Sequence, residues 1–195
     1  MFKESITSYY QREIEVINNL DINEIDSAIQ AILEAYRNDA VIYVCGNGGS
    51  AATASHYASD FNKGISEKLS KKFKMVSLCD NTPVIMAVAN DIAYEEVFRF
   101  QLDGRMDKND LLIAISGSGN SQNVINAALH ARRIGARVIG ITGYDGGELK
   151  RLSDYSMHCN INDMQIAEDI HMTFDHMMYR VFNDYFEAEQ KDSEE

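Results

Sequence analysis

Apolar side chains recur at helical spacing near the start of the chain and predict two amphipathic helices there. Asp21, followed three residues later by Glu24, is a capping-box signal, which indicates where the second helix begins. Because both helices precede the first predicted strand, they cannot be crossover helices, and we expect them to pack across a face of the sheet or against another subunit. Their apolar positions are Ile6, Tyr10, Ile14 and Ile17, then Ile25, Ile29, Ile32 and Tyr36.

From residue 41 onward, short apolar runs alternate with helical patterns. This alternation predicts parallel strands joined by right-handed crossovers, hence an α/β fold with a doubly wound sheet. The predicted strands are residues 41–45, 74–78, 110–115, 137–142 and, at one edge, 155–158. The predicted helices in this part are residues 51–60, 82–91, 94–102, 124–133 and 163–187.

We predict a single domain built from three parts: a helical pair at 1–38, an α/β core with its C-terminal helix at 39–188, and an acidic tail at 189–195 that we expect to fray. The lysine-rich connection at 63–72 is interpreted as a solvated loop. The last helix should bury one apolar stripe. Its members are Ile166, Ile170, Phe174, Met177, Val181 and Tyr185.

Composition narrows the classes of function. The 195-residue chain has a net charge of −12 and scattered basic residues, which argues against binding nucleic acid or anionic lipid. Its three cysteines, Cys45, Cys79 and Cys159, lack the C-x-x-C spacing of a metal or redox motif, which is typical of buried thiols in a reducing compartment. No stretch approaches 18 apolar residues and the N-terminus lacks an apolar signal region, so we expect a cytoplasmic protein without membrane partners.

Two predicted strands run into loops of glycine and serine that open helices. Glycine-rich backbone at a helix N-terminus is a ready anion site. In the first loop, residues 46–50, we expect Ser50 to cap the helix that follows. The second loop, 116–121, adds three hydroxyls. The third glycine of the dinucleotide fingerprint and the P-loop lysine are both absent, which disfavours a nucleotide. The two loops together predict a phosphorylated small molecule held between them.

Histidines and carboxylates accompany the loops on two helices. His56 and Asp60 stand four residues apart, about 40° from each other around a helix. Glu168, His171 and His176 lie on the last helix. The pattern leaves several interpretations open: a surface ion pair and packing residues, a general acid and base, or ligands for a metal such as zinc.

The chain resembles the sugar isomerase (SIS) domain family over nearly its whole length, most closely the phosphoheptose isomerases. The resemblance rests on Cys-Gly-Asn-Gly-Gly-Ser-Ala-Ala at 45–52, His-x-x-x-Asp at 56–60, Ala-Asn-Asp at 89–91, Ile-Ser-Gly-Ser-Gly-Asn-Ser at 115–121 and Thr-Gly-Tyr-Asp-Gly-Gly-Glu-Leu at 142–149. It implies a flavodoxin-like five-stranded parallel sheet and a homotetramer with sites between subunits. It also implies an aldose–ketose isomerase that converts sedoheptulose 7-phosphate, through proton abstraction and an enediolate, into D-glycero-D-manno-heptose 7-phosphate for surface polysaccharide.

The resemblance also implies roles for individual residues. Asp60 and His176 fall on the catalytic positions, with Glu168 as an alternative base. A zinc ion, one per subunit, would be held by His56, Asp60, Glu168 and His176. Asp60 is one methylene shorter than the usual glutamate, Glu168 stands where glutamine is usual, and Gly117 replaces a threonine. The substrate-binding positions are Asn47, Gly48, Gly49, Ser50, Asp91, Ser116, Gly117, Ser118, Ser121 and Glu168.

Two alternatives to this function remain open from the sequence. One branch of the same domain associates with the bacterial replication initiator and others sense sugar phosphates without catalysis, since a fold does not fix a function. An isomerase acting on a different sugar phosphate is the other alternative. The retained carboxylates at 60 and 168 and histidines at 56 and 176 favour an enzyme.

Overall fold

A five-stranded, all-parallel sheet in the order β2-β1-β3-β4-β5 forms the centre of the computed structural model, which describes residues 1–194. The sheet order confirms the doubly wound prediction. The chain moves from β1 to β2 on one side and returns to place β3 on the other, so the carboxyl ends of β1 and β3 form the switch point where ligands bind in such sheets. The strands are β1 (Ile42–Cys45), β2 (Met75–Ser77), β3 (Leu111–Ser116), β4 (Arg137–Thr142) and β5 (Tyr155–His158).

Eight helices flank the sheet in the described part of the chain. The helices pack on two faces of the sheet and form two cores. On β3, Ile113 and Ile115 point into one core, whereas Leu112 and Ala114 point into the other. The first core receives α2, α3 and α8, and the second receives α4 to α7. The helices are α1 (Lys3–Asn18), α2 (Ile22–Arg37), α3 (Gly49–Ser59), α4 (Thr82–Asp91), α5 (Arg99–Leu102), α6 (Gln122–Ile134), α7 (Gly147–Leu152) and α8 (Met164–Glu194).

The two leading helices have different environments. The Asp21 side chain caps α2 by accepting from the backbone N–H groups of Asn23 and Glu24, as its sequence predicts. Helix α2 buries Ile32 completely and packs across the sheet face, which confirms one part of the prediction. Helix α1 buries only Val16, and its apolar stripe is exposed in the isolated chain.

Two predictions next to α3 are wrong. Ser50 does not cap the helix: Gly48, with a φ of 54°, is the N-cap residue without any side-chain cap, and Ser50 lies buried in the first turn. The segment after α3 is also ordered rather than a solvated loop. A π-helical turn (Asp60–Gly64) leads into a 3₁₀ turn (Ile65–Lys68). Ile65 is buried, which orders the segment, although the lysines around it in the sequence indicated an exposed loop.

Helix α8 departs from prediction in its length and in its stripe. It continues to Glu194, beyond the predicted end at residue 187, and ion pairs at 3.2 Å join Arg37 to Glu189 and Lys68 to Glu187. Position 195 lies outside the described residues. The first step after Phe174 is four residues rather than the predicted three, which shifts the later members by one position, so Met177, Val181 and Tyr185 are not fully buried. The buried positions are Met178, Phe182 and Phe186.

Candidate active site

The carboxyl ends of β1 and β3 open into one pocket of about 230 Å³. Nine of the ten positions predicted to bind substrate line it, so the sequence correctly indicated which loops converge. The lining residues are Asn47, Gly48, Gly49, Ser50, Ile115, Ser116, Gly117, Ser118, Ser121, Met164 and Glu168.

Asp91 is the predicted position that the structure does not bring to the pocket. It is the last residue of α4, its side chain is exposed, and its carboxylate accepts a hydrogen bond of 2.7 Å from its neighbour Asn90. A contact between Asp91 and a sugar bound in this pocket therefore has no basis in the fold of a single chain.

The serine loop after β3 is held in shape before any ligand binds. The hydroxyl oxygens of Ser116 and Ser121 lie 3.1 Å apart, and the Ser118 hydroxyl accepts from the backbone N–H of Asn120 at 3.2 Å. Gly119 has a φ of 66°, and a Cβ there would lie 2.0 Å from the carbonyl oxygen of Gly146. Only glycine allows this approach between the loops after β3 and β4, so the hydroxyls are fixed by close backbone packing.

Asn123 and Tyr94 support the pocket, although the sequence analysis did not single them out. Asn47 and Asn123 exchange side-chain hydrogen bonds of 2.8 Å, and the Tyr94 hydroxyl donates to the Asn47 oxygen at 2.7 Å. These contacts join the glycine loop to α6 and to the turn before α5. Asn123 is buried, and a polar residue among the apolar positions at the start of α6 is the signal that could have indicated it.

A group of four histidine and aspartate side chains lies between α3 and α8. The Nε2 atom of His56 lies 3.2 Å from Nε2 of His176, 3.6 Å from Oδ2 of Asp60 and 3.7 Å from Oδ2 of Asp175. One potential ligand atom from each residue lies within 4.8 Å of all the others. Two imidazoles and two carboxylates are a donor set that suits a divalent transition metal.

Asp175 is the member of this group that sequence reasoning missed. Its side chain has no solvent exposure, and neither carboxylate oxygen has a hydrogen-bond partner among the described residues. Burial raises the pKa of Asp175 to about 7, and the nearby charge of Asp60 adds to the rise. An aspartate directly beside a candidate histidine, within the buried stripe of a helix, was the available signal.

Glu168 lies elsewhere, so the predicted ligand set is not assembled as expected. Its carboxylate packs against the start of α3, where a Cβ on Gly49 would lie 2.4 Å from Oε2 of Glu168. Glu168 lines the pocket and is not part of the four-residue group. His171 is a packing residue: it is 1% exposed, its ring stacks near Phe174, and burial lowers its pKa to about 4.

Comparison with known proteins adds independent information. The profile of the SIS domain matches residues 7–143. A phosphoheptose isomerase of Aliarcobacter butzleri is 36% identical over 159 residues, which cover 82% of this chain and 84% of that protein. One from Helicobacter pylori is 37% identical over 152 residues, covering 77% and 78%. The solved structure of a phosphoheptose isomerase from Neisseria gonorrhoeae superposes with a TM-score of 0.86 at 27% identity, covering 94% of this chain and 100% of that one.

Proposed function

We propose that this chain, which belongs to the SIS domain family and within it to the phosphoheptose isomerases, converts sedoheptulose 7-phosphate into D-glycero-D-manno-heptose 7-phosphate. The observation that carries the proposal is that one pair of helices presents both an anion pocket and a group of ionisable side chains. A sugar-phosphate sensor needs only the pocket, whereas an isomerase needs both.

The two parts are spaced along α3 and α8. Gly49 lines the pocket and His56 belongs to the ionisable group, and seven residues of helix separate them by about 10 Å. Glu168 and Asp175 are separated by the same number of residues along α8. A sugar anchored by its phosphate at the loops has its carbonyl at the other end of the carbon chain. This spacing therefore supports an orientation with the carbonyl toward the histidines.

We assign the phosphate to the hydroxyls of Ser116, Ser118 and Ser121 and to the backbone at the start of α3. Backbone N–H groups at a helix N-terminus and preorganised hydroxyls favour a dianion. Binding at this remote group would hold the reacting carbons in place and so lower the entropic part of the barrier. Asn47 and Ser50 line the same pocket and would contact the sugar phosphate.

In the proposed reaction, the Asp60 carboxylate removes a proton from C1, next to the C2 carbonyl of the ketose. The C–H electron pair forms the C1–C2 double bond of an enediolate, and the carbonyl oxygen takes the charge. His176 moves a proton between the two oxygens, and return of the first proton to C2 yields the aldose. Glu168 is the alternative base because it lines the pocket.

A zinc ion, one per subunit, is part of the proposal. The fit rests on the donor chemistry of the four-residue group and on the buried, unpartnered carboxylate of Asp175. When bound, such a cation supplies Lewis-acid stabilisation of charge on the carbonyl oxygen.

We further propose that the enzyme is a cytoplasmic homotetramer with sites between subunits. The α1 side chains Ile6, Tyr10 and Ile14 are each more than half exposed, with 54%, 59% and 57% of their surface accessible, although they form one apolar stripe. Such a stripe favours contact with another subunit. The three cysteines are free thiols, which suits a reducing compartment. No helix in residues 1–194 is long and apolar enough to cross a membrane.

Turnover of sedoheptulose 7-phosphate, followed by NMR of the aldose with and without a chelator, tests the function. We expect turnover that is lost with chelator and restored by zinc, and no turnover of sedoheptulose without its phosphate. Turnover that is unaffected by the chelator would contradict a required metal but leave the proposed acid–base reaction standing. Absence of turnover under every condition would contradict the proposed reaction and favour another sugar phosphate or a binding protein.

A further inference from the structure

The carboxylate of Asp175 is in an unusual position for a charged group. It has no solvent exposure and no hydrogen-bond partner among the described residues, yet its Oδ2 atom points toward Nε2 of His56 at 3.7 Å. Buried carboxylates in proteins are paired, hydrogen-bonded or bound to a metal, because an isolated buried charge is strongly unfavourable. The Asp175 carboxylate is therefore directed toward the other members of the group with no partner of its own among the described residues.

The three distances from His56 to the other members of the group are close to those of a tetrahedral metal site. Four ligands at about 2.1 Å from a zinc ion lie about 3.4 Å from one another. The three measured separations from His56 are 3.2 Å to His176, 3.6 Å to Asp60 and 3.7 Å to Asp175. These three separations lie within a few tenths of an ångström of the tetrahedral value, and the remaining separations in the group are at most 4.8 Å.

Within one chain, Glu168 does not reach this position. Its side chain packs against Gly49 at the other end of the helix pair, with Oε2 only 2.4 Å from where a Cβ would stand. Seven residues of α8, about two helical turns, lie between Glu168 and Asp175. The Glu168 side chain would have to leave the pocket wall to reach His56 and His176.

We infer that Asp175, and not Glu168, completes the metal site of this chain, so that the ligands are His56, Asp60, Asp175 and His176. The inference deepens the proposed function and rests on it for the role of the metal. Two carboxylates with two neutral imidazoles balance the charge of a divalent ion. Glu168 is then free of the metal and remains in the pocket wall, where it can contact the substrate.

Metal titration of the purified full-length protein tests this assignment without substrate. After removal of metal by a chelator, Co²⁺ is added and followed by its visible absorption, and Zn²⁺ is added in a calorimeter. The variants are Asp175→Asn and Glu168→Ala, with Asp169→Asn as the control. Asp169 lies on the same helix and bonds to the Tyr9 hydroxyl, away from the group, so the control makes the same chemical change without touching it.

We expect wild-type protein to bind one ion with the intense absorption of tetrahedral Co²⁺. Asp175→Asn should weaken affinity for both ions about tenfold or more and alter the spectrum, whereas the other two variants should stay within about twofold. Unchanged affinity in Asp175→Asn, loss of affinity in Glu168→Ala, or no binding by wild-type protein would each overturn the inference.

Two features keep the test independent of folding and of the reaction. If Asp175→Asn unfolds, Glu168→Ala still decides whether residue 168 is a ligand, and the Tm of each metal-free variant shows which proteins are folded. Failure of sedoheptulose 7-phosphate turnover would contradict the proposed function. It would not affect the ligand assignment, which the titration alone decides. Failure of the titration alone would leave the isomerase reaction standing.

Discussion

The Nε2 atoms of His56 and His176 lie 3.2 Å apart, although 120 residues of chain separate the two histidines. Their helices are joined by a hydrogen bond one residue from His56 and five residues from His176, where the buried Tyr57 hydroxyl donates to the backbone carbonyl of His171 at 2.9 Å. Side chains carried on packed helices hold their geometry better than side chains on loops. The relationship between these two histidines is therefore the property on which the chemistry of the site depends most directly.

Replacement of His176 by alanine should abolish turnover while the protein stays folded. The histidine is exposed, so its removal leaves no cavity in the core, but it takes away the group proposed to move the proton between the sugar oxygens. Isomerase assays with circular dichroism of the same samples check both parts. Arg180→Ala, an exposed change one turn further along α8, is the control and should keep wild-type activity. Retained activity in His176→Ala would remove this residue from the mechanism.

Removal of the Ser116 hydroxyl should weaken substrate binding more than it slows the chemical step. Ser116 is 4% exposed and its hydroxyl lies 3.1 Å from that of Ser121, in the wall assigned to the phosphate. Loss of one hydrogen bond to a charged group costs about 1.5–3 kcal/mol, so KM for Ser116→Ala should rise roughly 10- to 100-fold. Ser153→Ala, whose hydroxyl bonds to Leu149 away from the pocket, should leave KM unchanged. Equal KM values for both variants would contradict the assignment.

Gly119 and Gly104 offer a matched pair for testing the serine loop. Both have positive φ, 66° and 72°, so alanine meets similar backbone strain at either position. A Cβ at Gly119 would lie 2.0 Å from the Gly146 carbonyl oxygen, whereas nothing lies within 4 Å of one at Gly104. Gly104→Ala should cost about 1–2 kcal/mol of unfolding free energy and keep activity. Gly119→Ala should lose more stability and lose substrate binding, as denaturant titration and KM would show.

Stability should fall in acid because of His171. Burial lowers the pKa of this histidine from 6.5 to about 4 in the folded protein. Between these pH values the unfolded chain binds a proton at this site that the folded chain does not, so the free energy of unfolding decreases as the pH falls from 6.5 toward 4. At 1.36 kcal/mol for each pKa unit, the contribution is roughly 3 kcal/mol.

The His171→Phe variant isolates this effect, since phenylalanine keeps an aromatic ring beside Phe174 and does not titrate. Urea unfolding of both proteins at several pH values measures it. The difference in unfolding free energy between variant and wild type should change across this window in favour of the variant. A constant difference from pH 7 to pH 4 would show that His171 does not carry the titration.

A charge on the exposed stripe of α1 should disrupt the proposed tetramer. Ile14 is 57% exposed in the isolated chain, and a glutamate there would place an unpaired charge in an apolar contact between subunits. Sedimentation velocity of Ile14→Glu should show smaller species than wild type. Ser8→Glu adds the same charge at an exposed position outside the stripe and should keep the wild-type mass. Identical sedimentation of both variants would place the subunit contact elsewhere.

The sequence predicted the features that depend on local pattern. Buried parallel strands appear as apolar runs bounded by glycine, and two of them end in the serine and glycine loops that form the pocket. The spacing of His56 and Asp60 also placed both side chains together, because a four-residue step keeps one face of a helix. These are properties of short segments, and the fold preserves them.

What the sequence did not predict depends on which elements meet. Asp175 lies in a stripe that looks like ordinary core, and only the approach of α3 makes it a member of the site. Asn123 and Tyr94 join loops that are far apart in the chain. Glu168 stands at a position where the family has a metal ligand. Its side chain nevertheless lies against Gly49, where the absence of a Cβ leaves room for it. In each case the decisive contact is tertiary, and no local spacing encodes it.

The π-helical turn that begins at Asp60 has a consequence for how this site can change over generations. The backbone N–H of Ile65 donates to the Asp60 carbonyl, five residues back, so this turn holds one residue more than a turn of α-helix. Deleting one residue after Asp60 would restore the ordinary register and rotate the following segment by about 100° relative to His56. Gain or loss of a single codon in this turn is thus a route by which a lineage could redirect the segment that follows Asp60 while every residue in the four-residue group stays the same.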